Sequence, residues 1–271
     1  LPTCRAKVEA FWEKRLHPLE GAPDHYMVER VKQQQFALLE QFGDEQSIGQ
    51  FIQDNLHLRD FREKAIATAM QNKDFQAALR LALDGTRADE HFPSRLHQWQ
   101  IYAFRAYTEL GNTPKAQELA HAFLIGGDFD YYDWLKKSYP KEEWAGVLDR
   151  LLAEMEAKPY GHGIYEQVLL AEQVWDRLMA HIEHMPSRVF SLYAHVANRY
   201  PERVDAAFYQ AIMDMARRSS DRSAYREPCA RMQTYATVCG PASGERIVKQ
   251  LRGAYRRKHA TRDAGRQAFS A

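Results

Sequence analysis

The 271-residue sequence predicts an all-α chain, specifically an α-solenoid of stacked helical hairpins, with an irregular helical bundle as the alternative. Three observations carry the prediction. Apolar residues recur at intervals of three and four, as on one face of a helix, and not at the interval of two expected of strands. Pro93, Pro114, Pro140, Pro159, Pro186, Pro201, Pro228 and Pro241 fall between these stripes, as expected of a residue tolerated in a helix's first turn and costly in its interior. The composition, 45% apolar and 27% charged, is that of a folded globular chain. A single helical-repeat domain over residues 1–271 is expected, with a candidate break near 157–163, where KPYGHG concentrates turn formers.

Taken in order, Leu56, Phe61, Ala65, Ile66 and Ala69 form a first stripe. Trp99, Tyr102, Ala103, Ala106, Tyr107 and Leu110 form another. After Leu110 a Gly-Asn-Thr-Pro turn leads at once into the next helix, with Thr113 read as its N-cap. The acids of GGDFDYYDW (126–134) suit a helix's first turn, where carboxylates complement the dipole; the spacing fails the calcium-loop pattern. Trp175, Leu178, Met179 and Ile182 form the apolar side of a later helix. GPASGER (240–246) reads as an inter-helix turn, since it lacks the Gly-Lys-Ser/Thr ending of a phosphate loop.

Two hairpins share a pattern. In MQNKDFQAALRLAL (70–83) and ELGNTPKAQELAHAFL (109–124), aligning Asn72 with Gly111 brings Ala77 onto Ala116 and Leu81 onto Ala120. This resembles the tetratricopeptide repeat, in which a small residue early in the second helix lets two helices approach closely. Tyr107 stands where the repeat carries an aromatic, whereas Phe104 replaces its small residue. No third copy of the full pattern is evident.

Residues 186–268 carry a second resemblance. Tyr200-Pro201-Glu202 opening a helix, Ala224-Tyr225-Arg226-Glu227 opening the next and Tyr255-Arg256-Arg257-Lys258 near the end resemble the C-terminal helical region of bacterial SWIM zinc-finger proteins. The family's zinc motif, Cys-x-Cys followed by Cys-x-His, is absent, so no metal site transfers. The resemblance, with a first residue that is not Met, implies either the C-terminal part of a longer protein or a relative that has lost the zinc finger.

Cys4, Cys229 and Cys239 make neither a CxxC pair nor a disulfide framework. Cys229 and Cys239 share a stripe with Met232, Tyr235 and Ala236, which predicts buried, reduced thiols and hence a cytoplasmic protein. The N-terminal LPTCRAKVEAFWEKRL is too charged for a signal peptide, and no apolar run is long enough to span a membrane. The net charge of +1 conceals an asymmetry: residues 217–271 carry +9 and residues 1–216 carry −8.

Candidate sites were weighed against packing roles. His181 and His184 have a spacing compatible with metal ligation but lack a third ligand nearby, so a solvated or flanking pair is expected. No dinucleotide, Gly-x-Ser-x-Gly or HExxH motif occurs, and no cofactor, metal or catalytic residue is expected. The basic residues of the last helices remain: Lys249, Arg252, Arg256, Arg257 and Lys258, with Arg246, Arg262 and Arg266 beside them, read either as the solvated side of a helix packed through Leu251, Ala254 and Tyr255 or as a candidate contact for a polyanion or an acidic partner. The expected function is a non-catalytic scaffold that binds a protein or peptide partner on its surface. A nucleic-acid-associated module using the basic helices and a helical enzyme with an unrecognised site are the alternatives.

Overall fold

The computed structural model describes residues 25–158, 162–219 and 226–253, and among them every regular element is helical. The order is α1 (His25–Phe42), α2 (Glu45–Asp54), α3 (Arg59–Gln71), α4 (Phe75–Ala88), α5 (Pro93–Glu109) and α6 (Thr113–Gly126). A 3-10 turn at Phe129–Tyr131 leads into α7 (Tyr132–Lys137), then α8 (Lys141–Glu156), α9 (His162–Ala171) and α10 (Trp175–His184). A second 3-10 turn at Pro186–Arg188 precedes α11 (Val189–Val196), α12 (Pro201–Arg218) and α13 (Arg226–Cys239). The last helix among the described residues, α14, starts at residue 241 and is described to 253.

The prolines mark starts. Pro93, Pro201 and Pro241 are first residues of helices, Pro114 is the second residue of α6, and Pro140 immediately precedes α8. Pro186 opens a 3-10 turn and Pro228 sits in the first turn of α13, while Pro159 lies outside the described residues. These are positions where a missing N–H leaves no intrahelical bond unmade.

Three inter-helix turns have the same geometry. In each, a residue with positive φ ends one helix and the next residue begins the other: Lys73 (φ 59) then Asp74, Gly111 (φ 70) then Asn112, and Gln173 (φ 56) then Val174. The N–H groups of these pairs bond back in the double pattern of a Schellman motif: Lys73 to Met70 and Asp74 to Ala69, Gly111 to Thr108 and Asn112 to Tyr107, Gln173 to Leu170 and Val174 to Leu169. The repeat alignment is therefore corrected by one residue. Lys73, not Asn72, is the equivalent of Gly111, so Ala78 and Ala82 match Ala116 and Ala120, and all four alanines are fully buried. The cap of α6 is Asn112, whose side chain accepts from the Lys115 N–H at 3.3 Å, rather than Thr113. The turn between α9 and α10 is a third copy that the sequence pattern missed, with Leu178 and Ile182 in the alanine positions. Replacing Lys73 by Gly should stabilise the chain by roughly 1 kcal/mol, because an L side chain at positive φ carries a steric cost that glycine lacks. Gly111→Ala should destabilise by about the same, since its added Cβ meets nothing within 4 Å and the cost is the backbone's alone. Urea midpoints read both changes.

By its internal packing the chain divides into two units, between Ala145 and Gly146 inside α8; of the expected break at 157–163, residues 159–161 lie outside the described set. In the first unit the main packing runs between chain neighbours, α2 on α3, α3 on α4, α4 on α5 and α5 on α6. One core there gathers Phe36, Ile52, Leu58, Phe61 and Ala65, with Phe36 and Phe61 edge to face at 5.4 Å. The next gathers Ile66, Ala69, Ala78, Ala82, Trp99, Ala103 and Ala106. Trp99 packs against α4 because Gly85 leaves room for its ring, and its indole N–H donates to Asp89 at 2.7 Å. In the second unit α10, α11, α12 and α13 pack in succession around Leu178, Met179, Ile182, Val204, Phe208 and Tyr235.

Candidate functional site

Helices α13 and α14 form a tight hairpin about Gly240, whose φ of +93 turns the chain in one residue. Ala242, Ser243 and Gly244, expected in a turn, belong to α14. A Cβ on Gly244 would come within 2.7 Å of the Ala236 Cβ, so glycine permits the two helices to close near the turn. The facing sides of the two helices line an open groove of about 1010 Å³.

Each wall is one helical stripe. Cys229, Met232, Gln233 and Ala236 come from α13, and Glu245, Val248, Lys249 and Arg252 from α14. Both sets follow the i, i+3, i+4, i+7 spacing that puts residues on one face. The opposite stripe of α14, Ile247 and Leu251, is buried. The predicted contact residues Lys249 and Arg252 are thus exposed on the groove, whereas Arg256, Arg257 and Lys258 lie outside the described residues. Cys229, expected in the core, is exposed on the groove wall; Cys239 is half-buried, and burial pushes its thiol up to about 11. Both are free thiols.

Arg246 behaves differently from its basic neighbours. Its guanidinium lies 5.0 Å from the Tyr209 ring centre and donates to Asp205 of α12. Asp205 also accepts from the hydroxyls of Tyr235 at 2.7 Å and Ser243 at 2.6 Å. Burial alone would raise the Asp205 pKa, but these three donors outweigh it and hold the carboxyl below its ordinary range. Burial, then the bond to Asp205, pushes the Tyr235 hydroxyl up to about 12. The network ties α12, α13 and α14 together and fixes the hairpin that carries the groove.

Several other arginines of this unit are similarly engaged: Arg177 with Asp149 at 3.1 Å, Arg203 with Glu183 at 2.7 Å, and Arg217 with Asp214 at 2.9 Å. The side chains of Lys249 and Arg252 make no hydrogen bond or ion pair with any described residue. Positive charge is therefore left over on the groove.

The second polar cluster, Glu166 with His181 and Arg188, was not foreseen. Of the pair expected to be solvated or flanking, His181 is buried, with its Nε2 2.8 Å from Glu166 Oε1, and His184 is exposed. The reason is its place on α10, next to Ile182 and one turn after Leu178, both fully buried. Arg188, from the Pro186–Arg188 turn, donates to both carboxylate oxygens. Burial would raise the Glu166 pKa; the bonds from His181 and Arg188, with the Arg188 charge, overcome that and lower it to about 2. A carboxylate accepting from Arg places the imidazole proton on Nε2, so His181 acts as the donor. With both oxygens occupied and its proton affinity reduced, Glu166 is arranged to join α9, α10 and the following turn rather than to take a proton from a substrate. Among the described residues no group of three His, Cys, Asp or Glu side chains could hold a metal ion, and no helix is long and apolar enough to cross a membrane.

Compared with protein-family models, with curated proteins and with solved structures, the chain matches none.

Proposed function

We propose that the chain is a cytoplasmic, non-catalytic helical-repeat scaffold that binds a protein partner. One observation carries the reading: the α13–α14 groove is open, combines the apolar Met232, Ala236 and Val248 with polar side chains, and keeps Lys249 and Arg252 unpaired among the described residues, whereas Arg203 and Arg246 are matched. The polar clusters elsewhere in this unit tie helices together, which favours a binding surface over a reaction centre.

Two further points support it. The three equivalent turns at Lys73, Gly111 and Gln173 are what degenerate tetratricopeptide-like hairpins in an α-solenoid require, and such arrays present extended surfaces to partners. The resemblance of residues 186–268 to the helical region of bacterial SWIM zinc-finger proteins, including the α12 start at Tyr200-Pro201-Glu202, is in keeping with a bacterial protein of that family. The free thiols of Cys229 and Cys239 suit a reducing compartment.

Affinity purification of the full chain from its native cells, with nuclease digestion, tests the reading. A protein partner retained after digestion is expected. Retention of nucleic acid alone would overturn it, with affinity falling steeply as salt rises and a shallower slope once Arg256, Arg257 and Lys258 are replaced by Ala.

A further inference from the structure

We infer that the α13–α14 groove receives an amphipathic helix bearing acidic residues, contributed by another protein. The inference rests on the scaffold reading and specifies the partner's chemistry. Two facing stripes at i, i+3, i+4, i+7 form the cradle into which a third helix packs, its ridge of side chains entering the furrow between the two. Met232, Ala236 and Val248 supply apolar surface for the partner's stripe.

Charge selects the flank. Counting outward from Gly240, Ala236 and Gly244 share the end of the groove near the turn, and Cys229 and Arg252 share the far end. Lys249 and Arg252 therefore concentrate positive charge toward the end far from the turn, while Glu245 lies nearer the turn. A helix with glutamates or aspartates opposite Lys249 and Arg252 meets unpaired donors there, and matched charge also steers its approach. Residues 254–271 make a poor occupant, because they carry Arg256, Arg257, Lys258, Arg262 and Arg266 against Asp263 and would bring like charge to the same end. Nucleic acid fits less well than a helix, since the cations occupy one end and the apolar wall residues offer phosphates nothing.

The probe is a fluorescent synthetic peptide of about 18 residues, long enough to hold a helix, with a leucine stripe flanked by glutamates. Its glutamine counterpart, its lysine counterpart and a DNA duplex serve as comparisons, each titrated against the full chain. The glutamate peptide should bind, and the glutamine peptide should bind more weakly. The exposed double change Lys249→Glu with Arg252→Glu should lower affinity for the glutamate peptide by about tenfold and transfer preference to the lysine peptide. Far-ultraviolet dichroism checks that the variant keeps its helices, and the gain of lysine-peptide binding cannot arise from misfolding alone. Absence of glutamate-peptide binding, equal affinity for the glutamine form, displacement by DNA, or a groove closed by self-association in sedimentation would each overturn the inference. A protein partner retained on purification while the glutamate peptide fails would leave the scaffold reading standing and remove this one alone.

Discussion

Replacing Glu166 by Ala should destabilise the second unit by about 3 kcal/mol, among the largest losses available from a single polar side chain. Glu166 is 5% exposed, and its carboxylate is the shared acceptor for His181 and for both arms of Arg188. Removing it strands a buried imidazole N–H and takes away the counter-charge of a guanidinium. Arg188 has 37% of its side chain exposed and recovers some hydration, which sets the loss near the lower end of the range for broken buried pairs. Glu166→Gln should lose less, because the amide oxygen can still accept one bond.

The same residue predicts a pH dependence. The Glu166 pKa is lowered on folding from 4.5 to about 2, so the folded state favours the ionised form. Its contribution is fully present above pH 4.5 and is lost as pH falls from 4.5 through about 2. The wild type should therefore lose stability across that window more steeply than Glu166→Ala, and the gap between them should narrow. Urea denaturation at neutral pH and near pH 3 measures both. A gap that stays constant would show that the ionised carboxylate is not what holds these three elements together.

Gly85→Ala should cost the first unit about 3 kcal/mol. A Cβ there would lie 2.4, 2.7 and 2.8 Å from three atoms of the Trp99 indole. The ring cannot yield easily: Trp99 is fully buried, and its N–H is held by Asp89 at 2.7 Å. Relief requires α4 and α5 to separate, in a core filled on the α4 side by Ala78 and Ala82. The clash itself is testable by a double-mutant cycle. Trp99→Leu alone should leave a cavity, and adding Gly85→Ala to it should cost far less than in the wild type, a coupling above about 1 kcal/mol. Additive losses would contradict the close approach.

Much of the fold was legible because helical periodicity and proline placement are local signals. The turn register was not, since Lys73 takes a conformation normally left to glycine, and aligning on glycine-like residues selected Asn72 instead. The turn at Gln173-Val174 carries neither Gly nor Asn, so backbone geometry alone reveals the third copy. Glu166 occupies the place, seven residues before the positive-φ position, that Ile66 and Phe104 hold in the other hairpins. A charge is readable there only once His181 and Arg188 are seen to converge on it. At the groove, both stripes of α14 repeat at helical spacing, and periodicity cannot say that Ile247 and Leu251 pack inward while Val248, Lys249 and Arg252 stay outside. Arg246 read as one more cation until Asp205, 41 residues earlier, was found beside it.

The most direct test of the account is photo-crosslinking in the native cells, with a benzophenone residue in place of Val248 on the groove and, separately, of exposed Glu202 on α12. The account predicts that the groove position captures a protein segment rich in Asp and Glu and that position 202 does not. Capture of nucleic acid at position 248, or the same products from both positions, would contradict it.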